Sequence, residues 1–424
     1  MPTAQSDTPT VDRLLDTAAE LFWEKGYAAT TTREIAAALR IQQASLYYHM
    51  ASKEDLLYQI FGSSLHQFLA DVPAAVQQVS DPRERIRVLI RVHVVTLLRY
   101  QKRNMTMLTE LRALSAKHRS EVVTLRERYA AFVRSTLEDA QANRGIRNDI
   151  PAAYLSLGLL NMLNWAARWY RENRDPSPDQ VAELFFKLYV DGAASARAHK
   201  SLGIPDWKAP VSGKGAASRP KRQSKPADST VQRLLDAAVA LFSRQGYAAT
   251  STREVAALLG MQKASLYYHI ESKEDLLYFI CKSALEQIRN DVETAIGEVE
   301  VPLERTRTLI CAHVESMLRS KDEHATMLTE MYALSKDRLA SIATLREGYV
   351  DLVRSVLRDA QNDGALRDDI DVRYLTLALL GLLNRVLVWY RRRGPLSPGQ
   401  LGQLLAVIFL AGVAPVRDES RLTS

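Results

Sequence analysis

Residues 11–60 read VDRLLDTAAELFWEKGYAATTTREIAAALRIQQASLYYHMASKEDLLYQI, and residues 231–280 read VQRLLDAAVALFSRQGYAATSTREVAALLGMQKASLYYHIESKEDLLYFI. About two-thirds of the aligned pairs are identical, at a constant offset of 220. The offset persists without a gap: Met107-Leu108-Thr109-Glu110 returns as Met327-Leu328-Thr329-Glu330, and Trp169-Tyr170-Arg171 as Trp389-Tyr390-Arg391. Solenoid repeats run to roughly 20–50 residues, so a period of this length is something else. Each copy is long enough to bury a core of its own. The 424-residue chain is therefore a tandem of two homologous units.

Composition narrows the class. Charged residues make up 25% and apolar ones 47%, ordinary for a soluble globular protein. No stretch approaches about 18 uninterrupted apolar residues. The most apolar run, Leu401–Val413, carries Gly402 and Gln403. The segment MPTAQSDTPT has no basic region followed by an apolar core, so no secretory signal is expected. Only Cys281 and Cys311 occur, both in the second copy, where the first has Phe61 and Arg91. A disulfide framework is excluded; two separate buried thiols in a reducing cytoplasm are expected, ahead of a redox switch. A net charge of +7 leans toward a polyanionic partner.

Apolar residues recur at three and four in Leu14, Leu15, Ala18, Leu21 and Phe22, and again in Leu234, Leu235, Ala238, Leu241 and Phe242. Gly26 and Gly246 stop these first helices. Thr31 or Thr32 (Ser251 or Thr252) caps the second helix, with Glu34 or Glu254 in its first turn. Ser52 and Ser272, each followed three residues later by an acid, open another helix. Asp81-Pro82, Ser177-Pro178 and Ser397-Pro398 are further starts. Continuous strand-type alternation is absent, so each copy is read as eight to ten helices in an all-α fold. Residues 198–228, rich in Pro, Gly, Ser and Lys/Arg, read as a flexible basic linker. Its plain role is a tether; Arg219–Lys225 could also touch DNA as a basic arm.

A long helix (Val11–Lys25), a short capped helix (Thr32–Arg40), a tight turn and a second short helix (Gln43–His49) make a helix-turn-helix, whose second helix enters the major groove. Leu46 and Leu266 point inward. Gln42, Gln43, Ser45, Tyr47, Tyr48 and His49 point outward. A buried helix would not present so many polar tips, and a merely solvated one would favour Glu and Lys. Tyrosines reach phosphates and thymine methyls, while Gln and Ser contact base edges.

The string from Thr32 through Lys53 resembles the DNA-binding segment of the TetR family of one-component regulators, and both copies match over their first 50 residues. The resemblance implies a helical ligand-binding and dimerisation domain behind each reader. The boundaries expected are 9–55 and 56–197 in the first copy, and 229–275 and 276–416 in the second. It implies DNA contacts from Thr32, Arg33, Gln42, Gln43, Ser45, Tyr47, Tyr48, His49 and, on a phosphate, Lys53. In the second copy these become Thr252, Arg253, Gln262, Lys263, Ser265, Tyr267, Tyr268, His269 and Lys273. One tyrosine of each pair could instead pack on the first helix. The family's turn glycine is Gly260 in the second copy but Arg40 in the first, where a strained or altered turn is expected.

Family members dimerise through their last two helices to read palindromes. A linker of about 30 residues, with an r.m.s. span near 30 Å, allows the same pairing inside one chain. The expectation is an intramolecular pseudo-dimer, a monomeric chain on an imperfect inverted repeat. Lys187 and Asp191 against Val407 and Ala411 give the two final helices unequal faces, unless the charged pair is merely solvated. Two alternatives remain: whole chains that dimerise so that four readers bridge or share two operators, and one copy serving only as scaffold.

Polar residues shared by both copies after residue 75 are candidates for an effector pocket. They are His93 and His313, Glu110 and Glu330, Arg126 and Arg346, Tyr129 and Tyr349, and Asn164 and Asn384. Each alone is more often a satisfied structural polar or surface group. Asn164-Trp165-x-x-x-Trp169-Tyr170-Arg171 is similar to a subgroup of TetR-type regulators linked to lipid and sterol catabolism, some responsive to acyl-CoA thioesters. The second copy has Asn384, Arg385 and Trp389 there, and Arg385 could clamp an anionic aromatic headgroup. An aromatic seam in the pairing interface is the competing reading. No nucleophile elbow, phosphate-binding glycine loop or metal-spaced His/Cys set occurs, so no catalysis, cofactor, metal or membrane role is expected.

Overall fold

A computed structural model describes residues 11–195, 198, 226–391 and 394–413. The proposed arm Arg219–Lys225 lies outside the described residues. Two compact units emerge, one from residues up to Asp191 together with Val413, the other from Gly192 to Gly412. In unit 1 the helices are α1 (Val11–Lys25), α2 (Thr32–Leu39), α3 (Gln43–Leu46), α4 (Lys53–Val76), α5 (Pro82–Arg99), α6 (Gln101–Thr109), α7 (Ala116–Ala142), α8 (Ala152–Trp169) and α9 (Pro178–Asp191). Unit 2 has α10 (Pro226–Gln245), α11 (Thr252–Leu258), α12 (Lys263–Tyr267), α13 (Lys273–Ile296), α14 (Pro302–Arg319) and α15 (Lys321–Glu330), then α16 (Lys336–Asn362), α17 (Val372–Asn384), α18 (Val386–Trp389) and α19 (Pro398–Ala411). A 3-10 turn follows α6 and another follows α15. No strand occurs among the described residues. The first three residues of α10, 226–228, fall inside the expected linker.

The local starts and stops follow the side chains. Gly26 ends α1, its N–H on the Phe22 carbonyl at 2.9 Å. Thr31, not Thr32, caps α2 through a capping box with Glu34, and Ser251 does the same with Glu254. Ser52 and Ser272 accept from the N–H groups of Asp55 and Asp275. Asp81 caps α5 ahead of Pro82; Val301 at the matching place offers no side-chain cap.

In unit 1, α4 packs on α5, α6 and α7, and α5 packs on α8 and α9. The core includes Ile60, Phe61, Ile90, Val133, Leu159 and Phe185, all without solvent exposure. Unit 2 repeats the plan with one difference. α8 runs unbroken to Trp169, whereas its counterpart divides at Arg385 into α17 and α18. There Val386-Leu387-Val388 replaces Ala166-Ala167-Arg168, and β-branched residues are poorer helix formers than alanine. The Val388 N–H bonds the Arg385 carbonyl at 3.1 Å, a tightened turn. The apolar stretch Val372–Trp389 is long enough to cross a membrane by length and composition alone, but just over half of it is buried.

Each unit closes with chain from the end of the other repeat. In unit 2 the N–H groups of Ala193 and Ala194 donate to the Phe409 and Leu410 carbonyls at 2.8 and 3.0 Å, and Arg367 N–H donates to the Ala193 carbonyl at 2.9 Å. In unit 1 the Val413 N–H donates to the Tyr189 carbonyl at 3.0 Å, and Arg147 N–H donates to the Val413 carbonyl at 2.8 Å.

Candidate nucleic-acid interface

The reader is shorter than the expected Gln43–His49 helix. α3 ends at Leu46, and the N–H groups of Tyr47 and His49 bond carbonyls only three residues back. One face of this segment is anchored: Leu46 and Met50 are buried in unit 1, Leu266 and Ile270 in unit 2. The other face is open. Tyr48 is 89% exposed and Tyr268 87% exposed. Tyr47 and Tyr267 are less open, 52% and 43% exposed. Arg33, Gln42, Gln43, Arg253, Gln262 and Ser265 are exposed; Thr32, Ser45, His49, Thr252 and His269 are half-buried beside them. Lys263 opens α12. Gln43 donates to Thr32 Oγ1 at 2.9 Å, while in unit 2 Thr252 Oγ1 meets the Tyr267 hydroxyl at 3.2 Å. The two readers thus hold different hydrogen bonds on the same scaffold.

The turn keeps its shape at Arg40, and the strain expected there falls on the arginine's left-handed backbone. Arg40 (φ 59°) and Gly260 (φ 65°) are both left-handed. Their N–H groups bond the Ala37 and Ala257 carbonyls, each at 3.1 Å. The helix closure imposes this conformation whichever residue stands there.

Lys53 and Lys273 turn inward. Lys53 Nζ donates to the carbonyls of Tyr27 (2.9 Å) and Thr30 (2.8 Å) and lies 4.3 Å from the Tyr27 ring centre. Lys273 Nζ repeats this with Tyr247 and Thr250, both at 2.9 Å. Burial lowers both ammonium pKa values. These lysines brace the loop between the first two helices. A phosphate contact would have to use whatever donor capacity remains.

The head carrying the reader is joined to the body behind it by a few polar contacts. Glu54 accepts from Ser115 N–H at 2.9 Å and meets His118 Nδ1 at 2.8 Å. Glu274 accepts from Ser335 N–H at 2.8 Å, and Arg338 stands where His118 does, paired with Asp275. Glu110 and Glu330, expected in the effector set, sit at this joint instead, accepting from Tyr27 N–H (3.5 Å) and Tyr247 N–H (3.3 Å). Arg103, only 3% exposed, donates to Asp16 at 2.6 Å and to Asp12 at 3.1 Å on α1.

Two of the remaining effector candidates do meet inside each unit. His93 Nδ1 lies 2.7 Å from the Tyr129 hydroxyl, while its buried Nε2 has no hydrogen-bond partner. His313 and Tyr349 repeat the pair, again with 2.7 Å between ring and hydroxyl and with Nε2 unpartnered. Burial drives both histidine pKa values down to about 3, so the rings are neutral and act through hydrogen bonds. Burial also pushes both tyrosine hydroxyls up. Trp169 meets Phe185 edge to face at 6.3 Å, and Arg168 covers Trp165 at 5.1 Å. Trp389 Nε1 is buried without a hydrogen bond, and Arg385 is half-buried at the α17–α18 break. Arg126 departs from the set: its guanidinium donates to the Met107 carbonyl, and burial lowers its pKa to about 10. Arg346, its counterpart, is exposed.

Sequence reasoning missed His324, which replaces Asn104. It is fully buried, and neither ring nitrogen has a hydrogen-bond partner. It also missed Arg103 and the exchange of His118 for Arg338. The 220-residue offset marks all three as differences, but gives no depth or neighbour. No group of three or more potential metal ligands occurs among the described residues.

Residues 14–60 and 234–278 match the description "Bacterial regulatory proteins, tetR family". Residues 79–193 and 300–413, more than half the chain, match "Tetracyclin repressor-like, C-terminal domain". The chain is 28% identical over 204 residues to the HTH-type transcriptional repressor KstR2 of Mycolicibacterium smegmatis, covering 46% of this chain and 95% of that protein. It is 23% identical over 159 residues to the fatty acid metabolism regulator protein of Bacillus subtilis, covering 37% of this chain and 81% of that one. The solved ketosteroid transcriptional regulator KstR2 of Mycobacterium tuberculosis is 27% identical, with a TM-score of 0.42, over 44% of this chain and 95% of that one. The chain belongs to the TetR family of bacterial regulators and carries that family's two-part architecture twice.

Proposed function

We propose that one chain acts as a cytoplasmic repressor that applies both helix-turn-helix units to a single imperfect inverted repeat. The observation that carries this reading is the pair of open tyrosine tips, Tyr48 and Tyr268, on two readers with matching scaffolds and different polar neighbours. Neither hydroxyl makes a hydrogen bond among the described residues, although the Tyr268 ring meets His269 edge to face at 5.2 Å. The halves pair within the chain as a pseudo-dimer; the exchange of end segments, Gly192–Ser195 into unit 2 and Val413 into unit 1, supports this. The chain works by binding and release, not by turnover.

Release comes from a small effector entering the body of a unit beside His93 or His313. Neutral imidazoles, tyrosine hydroxyls and asparagine amides favour an uncharged polar group on an apolar molecule, such as a thioester carbonyl. The effector class proposed is an acyl-CoA or lipid-derived compound, in keeping with relatives named for fatty acid metabolism and ketosteroid regulation. The ligand acts by binding more tightly to the conformation whose reader spacing does not fit DNA.

Selection of bound duplex by the full chain, with native mass of the complex, tests the reading. One chain per asymmetric inverted repeat is expected. Two chains on a perfect palindrome, or four readers on two sites, would overturn the pseudo-dimer. Tyr48→Ala and Tyr268→Ala should each weaken binding roughly fivefold or more from its own half-site, at about 1–3 kcal/mol per lost contact. An effect from only one of them would make the other copy a scaffold.

A further inference from the structure

Arg40 is a cation at the reader's entry that the second copy replaces with Gly260. It occupies a left-handed position (φ 59°) that Gly260 fills in the other copy at φ 65°. A Cβ built on Gly260 would meet nothing within 4 Å, so the position tolerates a side chain in space and resists one only through its backbone angle. Arginine there accepts local strain of the kind that accumulates at binding sites. The fold draws no benefit in return: Arg40 is exposed, and its side chain has no hydrogen bond or ion pair among the described residues. Its charge stands two residues ahead of Gln42, where the turn delivers the chain into the reader.

We propose that Arg40 binds a backbone phosphate flanking the half-site read by the first copy, a contact the second copy lacks. This rests on the DNA-binding reading above and adds to it a direction: the chain seats on its operator in one orientation. A phosphodiester fits because a long, exposed guanidinium outside the reader helix reaches the strand before it reaches a base edge.

The test uses the full chain and the duplex it selects, with affinity measured across a salt series. Arg40→Gly should flatten the slope of log K against log salt by about 0.9 and weaken binding about eightfold at 0.1 M salt, the loss of one released counterion. Arg40→Lys should keep the wild-type slope, and Gly260→Arg should steepen it by about 0.9. The double exchange should restore the slope and transfer the extra backbone protection to the other half-site. Arg40→Gly relieves a left-handed arginine, so its melting midpoint should hold or rise, which separates a lost contact from a damaged fold. An unchanged slope and affinity in Arg40→Gly would overturn the inference while leaving DNA binding intact. A changed base preference on reselection would also overturn it, by making Arg40 a base reader. Should the wild-type chain select no duplex, the DNA-binding reading itself fails.

Discussion

In unit 1, α5 and α9 are held along their length by charge; in unit 2 the matching α14 and α19 meet almost backbone to backbone. Arg83, Arg87 and Arg91 of α5 pair with Asp191, Glu183 and Asp179 of α9 at 2.9, 2.5 and 2.6 Å. Their counterparts are Leu303, Arg307 and Cys311 facing Ala411, Gln403 and Gly399. Gly402 approaches so near that a Cβ on it would lie 2.9 Å from the Cα of Cys311. A different exchange lies at α6, where unit 1 has Arg103, ion-paired with α1, and the amide of Asn104, and unit 2 has Glu323 and the buried imidazole of His324. One fold therefore tolerates either ionic or apolar closure of the same seam, and the two halves should fail under different conditions.

Acid should separate them most. Burial holds His93 and His313 down to about 3 and His324 down to about 4. A buried histidine with a depressed folded pKa gives its full stability above about 6.5 and loses it as pH falls, by about 1.4 kcal/mol per pH unit. Unit 2 contains two such rings and unit 1 only His93 among these three, so the histidine loss should be twice as steep in unit 2 between about pH 6 and 4. Hydrogen exchange resolved by peptide should show unit 2 opening first, and His324→Asn should bring the two slopes together. Equal slopes in the wild-type chain would break the comparison.

The seam itself gives the next effect. Alanine is the better helix former, and Ala182 occupies the position in α9 that Gly402 holds in α19. Gly402→Ala should nevertheless destabilise unit 2 by about 1–3 kcal/mol in urea unfolding, because the methyl must displace α14. A stabilised variant would mean that the two helices are not held at that spacing. The smallest effect belongs to the ionic seam. Arg87→Ala loses exposed pairs to Glu183 and Glu84 and a stack 4.0 Å from the Phe186 ring centre, together about 0.5–1 kcal/mol. Arg307→Ala, which loses only the 3.5 Å pair with Glu304, should change thermal stability less, and a larger loss there would reverse the ranking.

The reader was legible because its logic is local: a capped helix, a turn and one buried leucine fix which tips face out. The seams were legible in part, through Lys187 and Asp191 against Val407 and Ala411. Asp191, though, pairs with Arg83 on another helix, at a separation no periodicity reveals. Long-range partners defeated the rest. Glu110, a candidate for the effector pocket, holds the Tyr27 N–H, while Lys53 turns from the expected phosphate toward two carbonyls of its own loop. Even the repeat misled at Arg126 and Arg346, since one is inserted toward Met107 and the other faces solvent.

The two cysteines carry a practical consequence. Burial pushes the thiols of Cys281 and Cys311 up to about 12, so neither offers a thiolate at neutral pH. A cysteine installed on an open loop of one reader would be the most reactive thiol on the polypeptide, ahead of buried Cys281 and half-buried Cys311. Each head could then be watched by itself as it lands and lifts, an experiment that two chemically identical subunits would not permit.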